Sequence, residues 1–127
     1  MIKKELAKAY TNFFRVLSDP TRLNIIMLLT AKELCVCQIE MALGVHQAKI
    51  SRHLAYLRKH NIVQVRREWK WKYYSLARPK NQFEENILQC LKKWLQKEKI
   101  FKSVFFQMKE CLAQSLDVVA QMAKKLK

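Results

Sequence analysis

The chain opens with apolar residues at the spacing of one helical face, which predicts an amphipathic helix over residues 3–17. The stripe consists of Leu6, Tyr10, Phe13 and Leu17. Asp19-Pro20 then restarts the pattern, with Asp19 suited to a helix N-cap and Pro20 to the first helical position. A second helix is therefore predicted to run to about Thr30.

Two further helices follow, and a single glycine separates them. The third is predicted from near Cys35 to Leu43, and the fourth from about Gln47 to His60. Gly44, the only glycine in the chain, directly follows an apolar residue, which is typical of a helix C-cap turn. The buried stripe of the fourth helix is predicted to be Ile50, Leu54 and Leu57. A short helix, a glycine turn and a second helix with a basic outer face indicate a helix-turn-helix, whose second helix can enter a major groove.

Residues 62–76 contain two short runs of β-branched and aromatic residues on either side of a charged bend. This pattern favours a two-stranded hairpin, with its tip predicted from Arg66 to Lys70. A basic hairpin directly after a helix-turn-helix would act as a wing beside the second helix. Together the two motifs predict a mainly α fold with a small β-hairpin, a winged helix-turn-helix.

The chain is predicted to be helical again beyond Pro79. One helix covers residues 81–99, and from Phe101 onward the apolar spacing is close to a heptad seam. The seam consists of Phe101, Phe105, Met108, Leu112, Ser115, Val119, Met122 and Leu126. We expect a homodimer through the N- and C-terminal helices, and the alternative is that the seam packs on the chain's own core. Residues 1–127 would then form one domain, with a DNA-binding core at 18–78 and dimerisation helices at 1–17 and 81–127.

The formal net charge of +15 is concentrated in one quarter of the chain. Residues 49–80 carry ten Lys or Arg residues against one acid, Glu68. Such a concentration is typical of a surface that binds a polyanion, and double-stranded DNA is the expected partner. The candidate DNA-binding residues are Gln47, Lys49, Ser51, Arg52 and His53 on the fourth helix and Arg66, Arg67 and Lys70 on the hairpin.

Other classes of protein fit the sequence poorly. No apolar run approaches the roughly 18 residues of a membrane span, and the first residues lack the apolar core of a secretory signal. We therefore expect a cytoplasmic protein whose four cysteines are mostly thiols. An enzyme is not expected, because the sequence has neither a Cys-x-x-Cys beside a strand nor a glycine-rich phosphate loop. No organic cofactor is expected either.

The segment "ELCVC" places Cys35 and Cys37 two positions apart at the start of the third helix. On an intact α-helix, residues two apart do not share a face, so at most one thiol would enter the core. Binding of both thiols to one atom would then require the first turn to unwind or distort. The alternative is that these cysteines are small core hydrophobes. For Cys90 and Cys111, plain packing is favoured over a role as a third ligand.

The segments "FFRVLSDPTRLNII", "ELCVC", "KISRHLAYLRKHNIV" and "WKYYSL" resemble the ArsR/SmtB family of metal-responsive repressors, specifically its arsenic-responsive branch. The resemblance covers about residues 13–78. It implies a homodimer that represses a resistance operon and leaves its operator when trivalent arsenic or antimony binds the two thiols, here Cys35 and Cys37. Three positions depart from the pattern. Glu40 stands where a third cysteine is common, Trp69 where the wing usually turns on glycine, and His46 where a serine often opens the second helix.

Alternatives remain open at this point. The same fold could respond to cadmium or lead, although relatives that do so also use cysteines near the N-terminus, where residues 1–34 contain none. It could respond to oxidation, with Cys35 or Cys37 pairing with Cys90 or Cys111. A constitutive DNA-packaging protein would bind DNA and ignore arsenite.

Overall fold

The apolar stripes of the first half of the chain form four helices in the computed structural model, which describes residues 4–125, with side chains from residue 7. The helices are α1 Lys4–Leu17, α2 Pro20–Ala31, α3 Val36–Leu43 and α4 Gln47–Lys59. Asp19 caps α2 by accepting a hydrogen bond from the backbone N–H of Arg22 at 3.0 Å. Gly44 ends α3 at φ 65°, in the left-handed region that favours glycine. The predicted helix-turn-helix is confirmed. The predicted α1 stripe includes Leu6, whose side chain lies outside the described residues.

A three-stranded antiparallel sheet follows the order β1-β3-β2. Its strands are β1 Leu34–Cys35, β2 Val63–Glu68 and β3 Trp71–Leu76. The hairpin of β2 and β3 confirms the predicted wing. The sequence did not predict β1, because two residues are too short to show an alternating pattern. Pairing with β3 places Leu34 opposite Tyr74 and Cys35 opposite Tyr73, so the chain is extended just before α3.

The turn of the hairpin is shorter than predicted. Glu68 pairs with Trp71, so only Trp69 and Lys70 connect the strands, and Arg66 lies within β2 opposite Tyr73. The predicted tip from Arg66 to Lys70 is therefore wrong at its first residues. Trp69 adopts φ 56° and is 78% exposed. A tryptophan thus occupies a left-handed backbone position that glycine would adopt without strain.

The main core lies where α1, α2, α3, α4 and the sheet meet. Its fully buried members include Val16, Ile25, Ile26, Leu28, Leu34, Ile39, Ile50, Leu54 and Leu57. The predicted stripe of α4 is confirmed. Because that stripe is anchored in the core, the opposite side of α4 faces solvent.

The C-terminal part consists of shorter helices than predicted. They are α5 Gln82–Trp94, a 3₁₀ helix Leu95–Lys97, α6 Lys99–Leu112 and α7 Leu116–Lys124. The prediction of one continuous seam is wrong, because Ser115 caps α7 by accepting a hydrogen bond from the N–H of Val118 at 3.3 Å. The chain turns at this cap, and α6 and α7 fold back against α3. Phe101, Met108 and Val119 are buried within this chain, as the alternative to a dimer seam anticipated.

Several large apolar side chains nevertheless face solvent. Trp94 of α5 is 56% exposed. Phe14, Ile100 and Phe106 are also exposed. Leu126, the last residue of the predicted seam, lies outside the described residues. The homodimer stays a prediction. Within residues 4–125, no helix is both long and apolar enough to cross a membrane.

Candidate functional site

The two thiols of "ELCVC" lie side by side at the beginning of α3. Cys35 is the N-cap residue, with extended backbone at φ −76° and ψ 155°, and Cys37 lies in the first turn. Their Sγ atoms are 3.7 Å apart. The expectation that both thiols could meet only after the first turn unwinds or distorts is therefore wrong. Its premise fails because Cys35 belongs to β1 and precedes the helical spiral.

Both thiols are buried, with Cys35 3% and Cys37 7% exposed. The expectation that at most one would enter the core is wrong for the same reason. Gln38 helps to hold this geometry, because its Oε1 accepts a hydrogen bond from the N–H of Cys35 at 2.8 Å. This is half of a capping box, whose three-residue spacing was readable in the sequence.

The pKa values of the two thiols are shifted in opposite directions. The Cys37 thiol donates a hydrogen bond to Cys35 and lowers the pKa of Cys35 to about 6, with further help from backbone N–H groups that include that of Lys72. The same hydrogen bond, burial and the negative charges of Cys35 and Glu40 raise the pKa of Cys37. Cys35 therefore loses its proton more readily than a free thiol does, while Cys37 retains its own. Thiolate is the form that binds soft metal ions.

A third cysteine packs in the same cluster. Cys111, from α6, is 6% exposed and lies in one hydrophobic cluster with Cys35, Cys37, Val119 and Ala123. Burial raises the pKa of the Cys111 thiol. Cys90 is exposed on α5, away from this cluster. Among the side chains of residues 7–125, however, no three Cys, His, Asp or Glu converge as a metal site would require.

A cavity of about 520 Å³ lies beside the thiols. Cys35 and Cys37 line one side of it, and Gln47 and Ser51 of α4 line another. Glu40, the residue in place of the third cysteine, is buried at 4% exposure and also lines it. The thiol pair and the first turns of α4 therefore share one space. A ligand on the thiols would lie next to the residues predicted to contact DNA.

The structure separates the candidate DNA-binding residues of α4 into two groups. Gln47, Lys49, Ser51 and Arg52 are exposed. His53 is half-buried, with Nε2 3.8 Å from Asp19 and Nδ1 3.5 Å from an Arg22 nitrogen. It therefore faces the start of α2 rather than the exposed side of α4.

His46 is the N-cap residue of α4. Its Nδ1 accepts a hydrogen bond from the N–H of Ala48 at 3.1 Å, so its side chain caps α4.

The basic residues of the wing differ in their partners. Arg66 donates to both carboxylate oxygens of Glu33, at 2.8 to 3.0 Å, and to Glu68 at 3.0 Å. Lys70 pairs with Asp117 of α7 at 3.0 Å. Among the described residues, Arg67 has no carboxylate within ion-pair distance. Sequence reasoning missed Glu33 and Asp117, which lie 33 and 47 residues from their partners.

These elements define a winged helix-turn-helix protein with a buried dithiol beside the second helix of the motif. The profile of bacterial regulatory proteins of the arsR family matches residues 19–65. A cadmium resistance transcriptional regulatory protein CadC homolog of Staphylococcus aureus is 35% identical over 96 residues, 72% of this chain and 74% of that protein. The chain therefore belongs to the arsR family, as the resemblance indicated.

Other relatives extend this comparison. The arsenical resistance operon repressor of Escherichia coli (strain K12) is 48% identical over 65 residues, 50% of this chain and 56% of that protein. The chain spans about half the length of this repressor and of two arsenic resistance transcriptional regulators of Pseudomonas putida that it matches. The crystal structure of the transcriptional repressor BigR from Xylella fastidiosa is similar at a TM-score of 0.66 and 29% identity, covering 76% of this chain and 93% of that one. These relatives are transcriptional regulators and not enzymes, which confirms that expectation.

Proposed function

We propose that this protein is a DNA-binding transcriptional repressor whose Cys35–Cys37 pair binds As(III) or Sb(III), and that binding releases it from its operator. The observation that carries the proposal is the position of two buried thiols in contact, in a cavity shared with the first turns of α4. Relatives named as arsenical resistance repressors support the choice of arsenic.

The thiol geometry fits chelation of one soft ion without movement of the backbone. Two sulfurs bonded to one centre at about 2.3 Å, with an angle of about 90–110°, lie roughly 3.3–3.8 Å apart. The observed separation of 3.7 Å falls in this range. Thiolates select thiophilic ions over hard ones. The residues present therefore fit As(III) or Sb(III) as a ligand of the pair.

DNA binding is assigned to the exposed side of α4 and to the wing. Gln47, Lys49, Ser51 and Arg52 would enter the major groove, and Arg67 would contact phosphate. His53 and Arg66 are left out of this set, because each already contacts an acidic side chain within the chain. Lys70 would reach phosphate only by releasing Asp117.

Ligand and DNA would compete through the shared cavity. A ligand on the thiols fills space beside Gln47 and Ser51 and fixes the first turn of α3, the helix that positions α4. Coupling between two sites of this kind is typically about 1–3 kcal/mol. Unwinding of α3 is not needed for it.

We also propose a homodimer within a single domain, with residues 18–78 as the DNA-binding core. The exposed Phe14 of α1 and Trp94 of α5 support an interface on these helices. Phe14 packs edge-on against Phe83 of α5, with ring centroids 5.6 Å apart, so α1 and α5 would form one continuous surface. Sedimentation of the parent and of a Phe14→Ser/Trp94→Ser variant tests this, and an unchanged dimer would contradict it.

A thiol-based redox repressor is the second candidate. Cys111 packs in the same cluster as the Cys35–Cys37 pair, which makes it a better placed disulfide partner than the exposed Cys90 of α5. Cadmium or lead as inducers share the dithiol chemistry.

One experiment separates these inducers. A duplex operator selected from random sequences is bound to the reduced protein and titrated with arsenite, antimonite, cadmium, zinc and peroxide. Release by arsenite or antimonite at the lowest concentrations supports the proposal. Release by peroxide alone supports the redox repressor, and release by no agent supports constitutive DNA packaging.

A further inference from the structure

The thiol pair has an open side that faces the cavity of about 520 Å³. This volume is within the range of about 300–1,000 Å³ that small-molecule sites occupy, and far larger than one arsenic atom requires. Three lysines, Lys70, Lys72 and Lys124, also line the cavity. The space next to the thiols is therefore both roomy and basic.

Trivalent arsenic prefers three soft donors, and the pair supplies two. Among the described side chains, those of residues 7–125, no third Cys, His, Asp or Glu completes a ligand set with them. Cys111 packs in the same cluster but does not line the cavity. Glu40 lines it, but a carboxylate is a hard oxygen donor and suits a thiophilic centre poorly. The third coordination position of an arsenic bound to the pair therefore faces the cavity.

The charges of the cavity select among ligands that could enter. Lys70 is paired with Asp117, whereas Lys72 and Lys124 have no ion pair to a carboxylate among the described residues. Glu40 contributes one negative charge to the same space. The two lysines therefore favour a ligand that carries carboxylates at a distance from its donor atom.

We propose that the third ligand is the thiolate of an anionic low-molecular-weight thiol from solution, held in this cavity with its carboxylates near Lys72 and Lys124. The proposal rests on the proposed function, since the thiol binds through arsenic held by Cys35 and Cys37. Starting from arsenous acid, three S–As bonds form and three As–O bonds break. Counted from three neutral thiols, the three protons leave with the three hydroxides as water, whereas a Cys35 that is already ionised releases one hydroxide instead. Arsenic stays trivalent throughout.

A thiol bound in this cavity would strengthen the coupling between arsenic binding and release from DNA. The cavity borders Gln47 and Ser51, so the bound thiol would bring negative charge to the side of α4 that faces phosphate. Like charges would then oppose DNA binding, in addition to the steric effect of the ligand.

The test uses the full chain, reduced with a phosphine and free of thiols, and glutathione as the anionic probe. Arsenite binding is measured by titration with and without glutathione, and native mass spectrometry determines which species form. Cysteamine, a cationic thiol, is the control probe. We expect a species with one arsenic and one glutathione per chain, and a lower arsenite midpoint with glutathione than with cysteamine. The arsenite midpoint with glutathione should be lower than that with cysteamine by roughly threefold for each lysine that contacts a carboxylate.

Variants of the lysines locate the thiol. Lys72→Gln/Lys124→Gln should bind arsenite alone as the parent does and should lose the preference for glutathione over cysteamine. Lys93→Gln, on α5 and away from the cavity, should keep it. If Lys72→Gln/Lys124→Gln and Lys93→Gln prefer glutathione over cysteamine to the same extent, the proposal is wrong.

The two levels of the proposal fail in different ways. If arsenite binds without any added thiol, and glutathione neither joins the complex nor shifts the midpoint, the third ligand comes from the chain and this inference is wrong while the arsenic site stands. If arsenite binds under no condition, the proposed function itself is wrong.

Discussion

Two adjacent arginines of the wing should behave differently on DNA. Arg66 is held by Glu33 and Glu68, whereas Arg67 has no acidic partner among the described residues. The positive charge of Arg66 is thus already neutralised within the protein, and Arg67 is available to phosphate. Arg67→Ala should weaken DNA binding because it removes a side chain that binds phosphate, and Arg66→Ala should not weaken it.

The magnitude follows from counterion release. Removal of one phosphate-binding side chain reduces the slope of log affinity against log salt by about 0.9. Raising the salt from about 50 to 200 mM is a fourfold change. Over this range the affinity of the parent for DNA should fall by about 3.5-fold more than that of Arg67→Ala for each phosphate-binding side chain removed. For the two copies in a dimer the difference is about 12-fold. Arg66→Ala should keep the parent slope.

Fluorescence anisotropy with a labelled random-sequence duplex measures these slopes, because the phosphate term does not depend on sequence. Circular dichroism confirms that both variants are folded. An equal reduction of slope for Arg66→Ala would show that Arg66 exchanges its carboxylate partners for phosphate. An unchanged slope for Arg67→Ala would show that this part of the wing does not contact DNA.

Three further predictions concern α4, the turn before it and the thiols. Arg52→Ala should weaken binding to a selected operator by about 1–3 kcal/mol if Arg52 contacts a base edge, whereas His53→Ala should change it less, as measured by gel shift at fixed salt. Gly44→Ala should lower the free energy of unfolding by about 1 kcal/mol, because an added Cβ meets no atom within 4 Å and only the backbone conformation is strained. Gly44→Asn should cost less, and equal urea midpoints for the two would contradict this reasoning. Cys37→Ala should raise the pKa of Cys35 from about 6, because the hydrogen-bond donor is removed. A titration of thiolate absorbance against pH should then show the first ionisation at a higher pH than in the parent. A first ionisation at the parent's pH would contradict this prediction.

The sequence was informative wherever one residue and its near neighbours determine the structure. Asp19 before Pro20 and Gly44 after Leu43 each satisfy backbone groups within four residues, so the limits of α2 and α3 were readable. The stripe of α4 was readable because a buried helical face repeats every three to four residues.

Features that depend on distant partners were not readable. β1 exists because Leu34 and Cys35 pair with β3 some 40 residues later, and this pairing brings the two thiols together. Ser115 fits the heptad spacing equally well as a seam position and as an N-cap. Only the packing of α6 and α7 on α3 distinguishes these roles.

The arsenite midpoint for release from DNA, compared between the parent and Cys35→Ser/Cys37→Ser, tests the central claim most directly. Serine is close in size to cysteine, and neither thiol is assigned a contact with DNA, so the double variant should fold and bind operator nearly as the parent does. Cys90→Ser, which changes an exposed thiol on α5, is the matched control and should release at the parent's midpoint. We predict that the double variant stays on its operator at arsenite concentrations that release the parent and the control. Its release at the parent's midpoint would contradict the assignment of this pair as the sensor.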